Sequence, residues 1–245
     1  MTRTLRAIGA GLLLLTICVA GPASAQTRLY AGAKSWYANW DLKIDRIEGA
    51  TQTDYSAAFM TGPYLTLRIG KVATTVSYST SLLHFTAETR NPGLNQVGFN
   101  MNRELKRDDI NVILQYYLSS DVAVFANAKF LTYLMRDATV FINQERVRLD
   151  EKFTSSGFGG GIQTSVQFRD DRSFYSYLSV GAVYNSFNVV IVDTKKSELM
   201  YFLDTGVGYL VPETRLGLVL GLRGEHGGET KTIIGPVLGL FLQPF

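Results

Sequence analysis

Between Asp108 and Leu118 the chain alternates with a period of two. Ile110, Val112, Leu114, Tyr116 and Leu118 fall on one face of an extended backbone, and Asp109, Asn111, Gln115 and Tyr117 on the other. The pattern returns near the C-terminus, where Leu216, Leu218, Leu220 and Leu222 oppose Gly217, Gly221 and Arg223. Such alternation excludes a helix, whose apolar stripe repeats every 3.6 residues, and leaves a strand with one apolar and one polar face.

Ten segments of this kind follow one another: Leu29–Leu42, Ala57–Ile69, Val72–Phe85, Asp108–Leu118, Val122–Met135, Gly157–Phe168, Phe174–Val190, Leu199–Val211, Arg215–Arg223 and Lys231–Phe245. The connections between them are sorted. Gly70-Lys71, Ser119–Asp121, Arg169–Ser173 and Pro212–Thr214 are short turns. They alternate with longer polar stretches at Asp45–Tyr55, Thr86–Lys106, Arg136–Thr154, Asp193–Glu198 and Gly224–Glu229. Greek-key sandwiches mix connection lengths, whereas membrane barrels place short turns at one end and long loops at the other. The expected fold is therefore all-β, a transmembrane up-and-down antiparallel barrel of about ten strands, with eight and twelve as the neighbouring even counts.

With 46% hydrophobic and 18% charged residues the chain is too apolar for disorder, and 23 glycines with 12% aromatics against 6 prolines suit strands and tight turns. The uncharged stretch Ser173–Val192 is long enough for a membrane helix, but Ser176, Ser179, Asn185, Ser186 and Asn188 interrupt it, and it reads as a strand. Arg3 and Arg6 before the apolar run Ile8–Ala20 and the small residues Ala23-Ser24-Ala25 form a secretory signal peptide cleaved before Gln26. The bulky Ile17 ahead of Cys18 disfavours the lipoprotein alternative. Two domains follow: residues 1–25 as the leader, and residues 26–245 as the barrel. The mature chain carries 22 basic against 21 acidic side chains and no cysteine, which offers nothing to nucleic acid, thiolate metal sites or disulfides.

Leader, alternation and the terminal Phe245 together resemble small bacterial outer-membrane barrels of the OmpA and OmpW type of architecture, over residues 26–245. The resemblance implies a Gram-negative outer-membrane location, contact with lipid and lipopolysaccharide, and recognition of Phe245 by the barrel-assembly machinery. Val237 and Phe241 keep the spacing that such a terminal signal has, while Leu238, Leu240 and Leu242 occupy the other phase, so the facing of the last strand stays open. Two aromatic girdles are expected. Tyr116, Tyr117, Phe168, Tyr175, Tyr177, Tyr209 and Phe245 lie near the short turns, and Trp36, Tyr37, Trp40, Phe85, Tyr133 and Phe187 at the opposite end.

The side chains that carry chemistry are polar groups isolated in strand-like surroundings: Arg68, Asp109, Gln115, Asn127, Lys129, Gln163, Asp204 and Arg223. A lipid-facing Arg or Lys at the midplane costs roughly 2–4 kcal/mol, so these point into the lumen. There they either fill a narrow barrel as a network or line a constriction for small solutes. The two histidines, His84 and His226, fall near the outer rim, His226 beside Glu225 and Glu229. They define the enzymatic alternative, a rim hydrolase acting on lipid or peptide. A third reading gives the loops Thr86–Lys106 and Arg136–Thr154 a binding or adhesive role. The leading expectation is a non-enzymatic structural barrel or narrow passive channel without cofactor or metal. Gly157–Gly161 lacks the Lys-Ser/Thr of a phosphate loop and suits curvature or close packing.

Overall fold

The computed structural model describes residues 27–41, 52–55, 57–83, 85–90, 101–142, 145–168, 173–189, 194–227 and 231–243. The leader, Phe245 and His84 lie outside the described residues. All regular structure within them is β: β1 Thr27–Asp41, β2 Gln52–Tyr55, β3 Ala58–Ile69, β4 Val72–Leu83, β5 Phe85–Arg90, β6 Met101–Tyr117, β7 Val122–Ile142, β8 Glu145–Gln167, β9 Phe174–Val189, β10 Thr194–Val211, β11 Leu216–Gly227 and β12 Lys231–Leu242. No described helix is long and apolar enough to cross a membrane.

All pairings are antiparallel: β1 with β3, β3 with β4, β4 with β6, then each strand from β6 to β12 with the next, and β12 with β1, which closes the sheet. β2 continues β3, and β5 continues β4; β5 pairs with both β2 and β6. Twelve segments thus make a closed barrel of ten staves.

The outer surface explains the alternation. Leu216, Leu218, Leu220 and Leu222 on β11 all face outward, as do Leu238, Leu240 and Leu242 on β12 and Leu178 and Val180 on β9. Water would penalise such a belt; hydrocarbon does not. The chain is an outer-membrane-type β-barrel with transmembrane strands. On β12 the outward phase belongs to the leucines, so Val237 and Phe241 point inward, 2% and 8% exposed.

Short turns gather at one end. Gly70 takes φ 58° in the two-residue turn Gly70-Lys71, a left-handed value that a side chain would strain. The Ser119 hydroxyl accepts the backbone N–H of Asp121 and of Val122, fixing the next turn.

The other end departs from expectation. Much of what reads as long loops is strand: β7 and β8 run on as a hairpin to Ile142 and from Glu145, β6 begins at Met101, and β11 extends to Gly227. The asymmetry lies in staves that overrun the membrane, more than in loop length. Beyond the hydrocarbon both faces of a ribbon meet water, so charged residues erase the alternation while the β7–β8 pairing resumes after a register shift between Met135 and Ala138.

Both expected girdles are also corrected. Tyr116, Phe168 and Tyr209 do face outward near the short turns, but Tyr117, Tyr175 and Tyr177 line the lumen. At the opposite end Tyr37 is outward, whereas Trp36 and Tyr133 are buried inside and Phe187 packs against that interior cluster. The side chains of Trp40 and Phe85 lie outside the described residues. Proximity to a turn sets the height of an aromatic ring, but strand parity sets its side, and Tyr117 shares the parity of Gln115.

Candidate functional site

Inward positions fill the barrel in two layers. Toward the overrunning strands, Trp36, Met60, Leu105, Leu131, Tyr133 and Ile233 form an apolar cluster contributed by β1, β3, β6, β7 and β12. Against it sits an ion cluster. Arg107 Nη2 donates to Glu225 Oε2 at 2.7 Å and to Asp109 Oδ2 at 3.1 Å. Lys129 Nζ donates to Glu225 Oε1 and lies 3.5 Å from Asp109 Oδ2. Arg223 Nη2 donates to Glu225 Oε1 at 2.9 Å. Three cations thus converge on two carboxylates, with Glu225 as the hub. The Arg223 guanidinium also lies 5.0 Å above the Trp36 ring, and Arg107 lies 5.7 Å from both Trp36 and Tyr133, which ties the ionic layer to the apolar one. Charges this deep persist only when paired, because an unpaired one carries its full desolvation cost.

Toward the short turns the lumen holds a cavity of about 530 Å³. It runs from Trp36, Lys129 and Arg223 at its deep end to Arg28, Ser120 and Gln167 near the turns. Its walls are small and polar on β4, with Thr75, Ser77 and Ser79, and aromatic elsewhere, with Tyr30, Tyr64, Tyr117, Tyr175 and Tyr177. Lys34 Nζ pairs with Asp204 across the wall, and Tyr177 donates its hydroxyl to the same carboxylate at 2.9 Å. Gln115 Nε2 donates to Gln163 Oε1 at 2.9 Å. Several rings rest on glycines of the adjacent strand: a methyl at Gly208 would overlap the Tyr175 ring, and one at Gly217 the Phe241 ring. Aromatic rings over glycine are a way of pinning register in curved sheets.

Arg68, Gln115, Asn127, Lys129, Gln163, Asp204 and Arg223 all line the cavity, and Asp109 lies buried in the ion cluster above it. The structure divides them into separate groups. Asp109, Lys129 and Arg223 meet in the ion cluster; Gln115 meets Gln163; Asp204 meets Lys34; and Arg68 stands near the turns, stacked 3.8 Å over Tyr117. Sequence reasoning missed Lys34, Arg107, Tyr177 and Glu225. Glu225 falls in the connection Gly224–Glu229 and Arg107 just ahead of the strand that starts at Asp108, yet each keeps the inward parity of its neighbour, Arg223 or Asp109. Extending the period of two through the charged residues finds both.

The structure separates His226 from Glu225, while His84 and Glu229 lie outside the described residues. His226 lies on β11 with its side chain exposed and Nδ1 at 2.9 Å from Thr232 Oγ1, while Glu225 next to it points into the barrel. Neighbours in a strand face opposite sides, so the two do not share a substrate. Among the described residues no group of three or more His, Cys, Asp or Glu is placed to hold a metal. For the adhesive reading of the loops, most side chains of Thr86–Lys106 and Arg136–Thr154 lie outside the described residues, and Leu105 is buried in the apolar cluster.

No family model matches the chain. No curated protein matches it either. Among solved structures it is similar to the β domain of the Bordetella autotransporter BrkA, with 9% identity and a TM-score of 0.44 over 89% of this chain and 98% of that one. It is also similar to the outer membrane protease OmpT of Escherichia coli, with 7% identity and a TM-score of 0.41 over 91% and 99% of the two chains. The Ralstonia pickettii toluene transporter TbuX gives 10% identity and a TM-score of 0.38 over 89% and 72%. These likenesses are too distant to carry a family or an activity to this chain.

Proposed function

We propose that the chain is exported, loses residues 1–25 before Gln26, and inserts in the outer membrane with its short turns toward the periplasm. There it serves as a non-enzymatic structural barrel with a closed lumen. Insertion by the barrel-assembly machinery, lipid and lipopolysaccharide as surroundings, and the absence of cofactors belong to the same reading.

The observation that carries the closed lumen is the layer formed by Arg107, Asp109, Lys129 and Glu225 beneath Trp36, Met60 and Leu131. Every one of these residues is at most 5% exposed. A solute or ion passing through would have to part ion pairs in a low-dielectric interior, where separating them costs several kcal/mol. This favours the structural role over the narrow passive channel.

Planar-bilayer recording of the refolded mature protein tests the proposal. The expected trace stays at the baseline of the protein-free membrane. A steady open-channel conductance in the unmodified protein would overturn it and restore the channel reading.

A further inference from the structure

The cavity on the short-turn side is walled by aromatic rings that lie down on the sheet. Tyr64 of β3 is the register partner of Gly32 on β1, Tyr175 of β9 that of Gly208 on β10, and Phe241 of β12 that of Gly217 on β11. A Cβ at any of these glycines would overlap the partner's ring, so each ring occupies the place where a side chain of the next strand would stand. One face of the ring covers the wall and the other is turned to the lumen. A filling built for stability alone closes on itself, whereas these rings are held apart around about 530 Å³, a volume in the range of small-molecule pockets.

The same wall offers hydrogen bonds that the protein leaves unused. Tyr177 donates to Asp204, but the hydroxyls of Tyr30, Tyr64, Tyr117 and Tyr175 bond to no described residue and are not sealed within protein. Gln115 Nε2 donates to Gln163 Oε1, which leaves Gln163 Nε2 as a donor and Gln115 Oε1 as an acceptor. Arg68 is oriented by its Nε, which donates to Gly70 O at 3.1 Å, and by its stack over Tyr117 at 3.8 Å. No described residue accepts from its two terminal nitrogens.

Charge, by contrast, is largely taken up within the protein. Lys34 pairs with Asp204, Lys129 and Arg223 pair with Glu225, and Arg28 is engaged as well. The unused groups are therefore mainly hydroxyls and amides, and a hydroxyl donates and accepts at once. A ligand matching this wall is neutral, rich in hydroxyls, and has C–H faces to lay on aromatic rings. A pyranose combines these properties, because its ring C–H groups are slightly positive and meet the negative face of an aromatic ring. A flat aromatic molecule would cover the rings but leave the hydroxyls without partners.

We propose that this cavity binds a short neutral saccharide entering from the short-turn side, where Ser120 and Gln167 stand at its mouth. Its sugar rings lie on Tyr64 and Tyr175, and its hydroxyls bond to Tyr30, Tyr117, Gln163 and the terminal nitrogens of Arg68. The inference goes beyond the structural role and is independent of whether the lumen conducts.

Calorimetric titration of the refolded mature protein tests it, in a zwitterionic detergent without a sugar head group. The probes are cellobiose, maltose and diacetylchitobiose, with sorbitol as an open-chain polyol and inorganic phosphate as an anion. At least one disaccharide should bind saturably at one site, and sorbitol at least about ten-fold more weakly, since it has no ring face to stack. Tyr175→Leu should weaken that disaccharide by about ten-fold or more, and Tyr175→Phe, which keeps the ring and loses one hydrogen bond, by about three- to five-fold. Heat-modifiable migration verifies that each variant is folded. If Tyr175→Leu does not refold, Tyr64→Leu carries the same expectation, and the comparison with sorbitol on the unmodified protein decides in either case. Saturable binding by none of the disaccharides, sorbitol binding equally well, phosphate binding more tightly than every disaccharide, or an unchanged affinity in the tyrosine-to-leucine variants would each overturn the proposal.

Discussion

Toward the overrunning strands, Arg107, Lys129 and Glu225 are 0%, 2% and 3% exposed. Toward the short turns, inward residues such as Gln115 on β6, Gln163 on β8 and Tyr175 on β9 border open space. The circumference is shared, so the difference lies in side-chain volume. Trp36, Met60, Leu131, Tyr133 and Arg107 fill the first half, whereas Thr75, Ser77, Ser165 and Ser179 stand around the second. A ten-stave barrel is narrow enough to be plugged by side chains alone, and equally able to keep a cavity where those side chains are small. The contrast separates two jobs within one architecture: closure in one half, a polar pocket in the other.

The sharpest way to break this contrast is at Glu225, which accepts from Arg107, Lys129 and Arg223. Glu225→Ala leaves three buried cations short of their principal partner and should cost about 3–5 kcal/mol in urea unfolding of the refolded barrel. A change within about 0.5 kcal/mol would mean that water or another carboxylate compensates, and that the closed half is less dry than described. Next comes the apolar layer. Leu131 is 2% exposed, and Leu131→Ala should cost about 2–4 kcal/mol by the same measurement.

In the open half the effects should be smaller. Gln115→Ala removes the hydrogen bond to Gln163 at the cavity wall, where the partner is part-exposed, and should cost about 1 kcal/mol or less. A cost equal to that of Leu131→Ala would erase the distinction between the two halves. The smallest expected change is a gain. Arg215 adopts φ 56° in the turn between β10 and β11, a left-handed conformation that costs a non-glycine residue roughly 1 kcal/mol, so Arg215→Gly should raise the unfolding free energy by up to about that amount. No gain, or a loss, would mean that side-chain contacts of Arg215 outweigh the backbone strain.

Much of the barrel was legible in order. Alternation at Ile110–Leu118 and Leu216–Leu222 reports its own facing, because an apolar residue on one parity and a polar one on the other can only be sorted one way between lipid and lumen. The inward direction of Arg68, Asp109, Lys129, Asp204 and Arg223 followed from the cost of the alternative. Aromatic residues were harder. Tyr117, Tyr175 and Tyr177 suit a headgroup belt or a polar lumen equally well by chemistry, and only parity places them inside, Tyr117 with Gln115 and both Tyr175 and Tyr177 with Ser179, the register partner of Asp204. Arg107 and Glu225 were hidden because charge marks a loop in a local window, whereas a buried partner far along the chain licenses charge within a strand.

By itself the sequence determined the all-β class, the closed even-stranded architecture, the apolar exterior and the identity of the short-turn end. All of these are local: they depend on residues two apart or on the length of one connection. The tertiary structure alone decided which inward groups meet. Arg107 and Glu225 stand 118 residues apart in the chain and 2.7 Å apart in space. A period of two assigns a side chain to the lumen, but its height and its partner there depend on register summed around ten staves and on closure between β1 and β12.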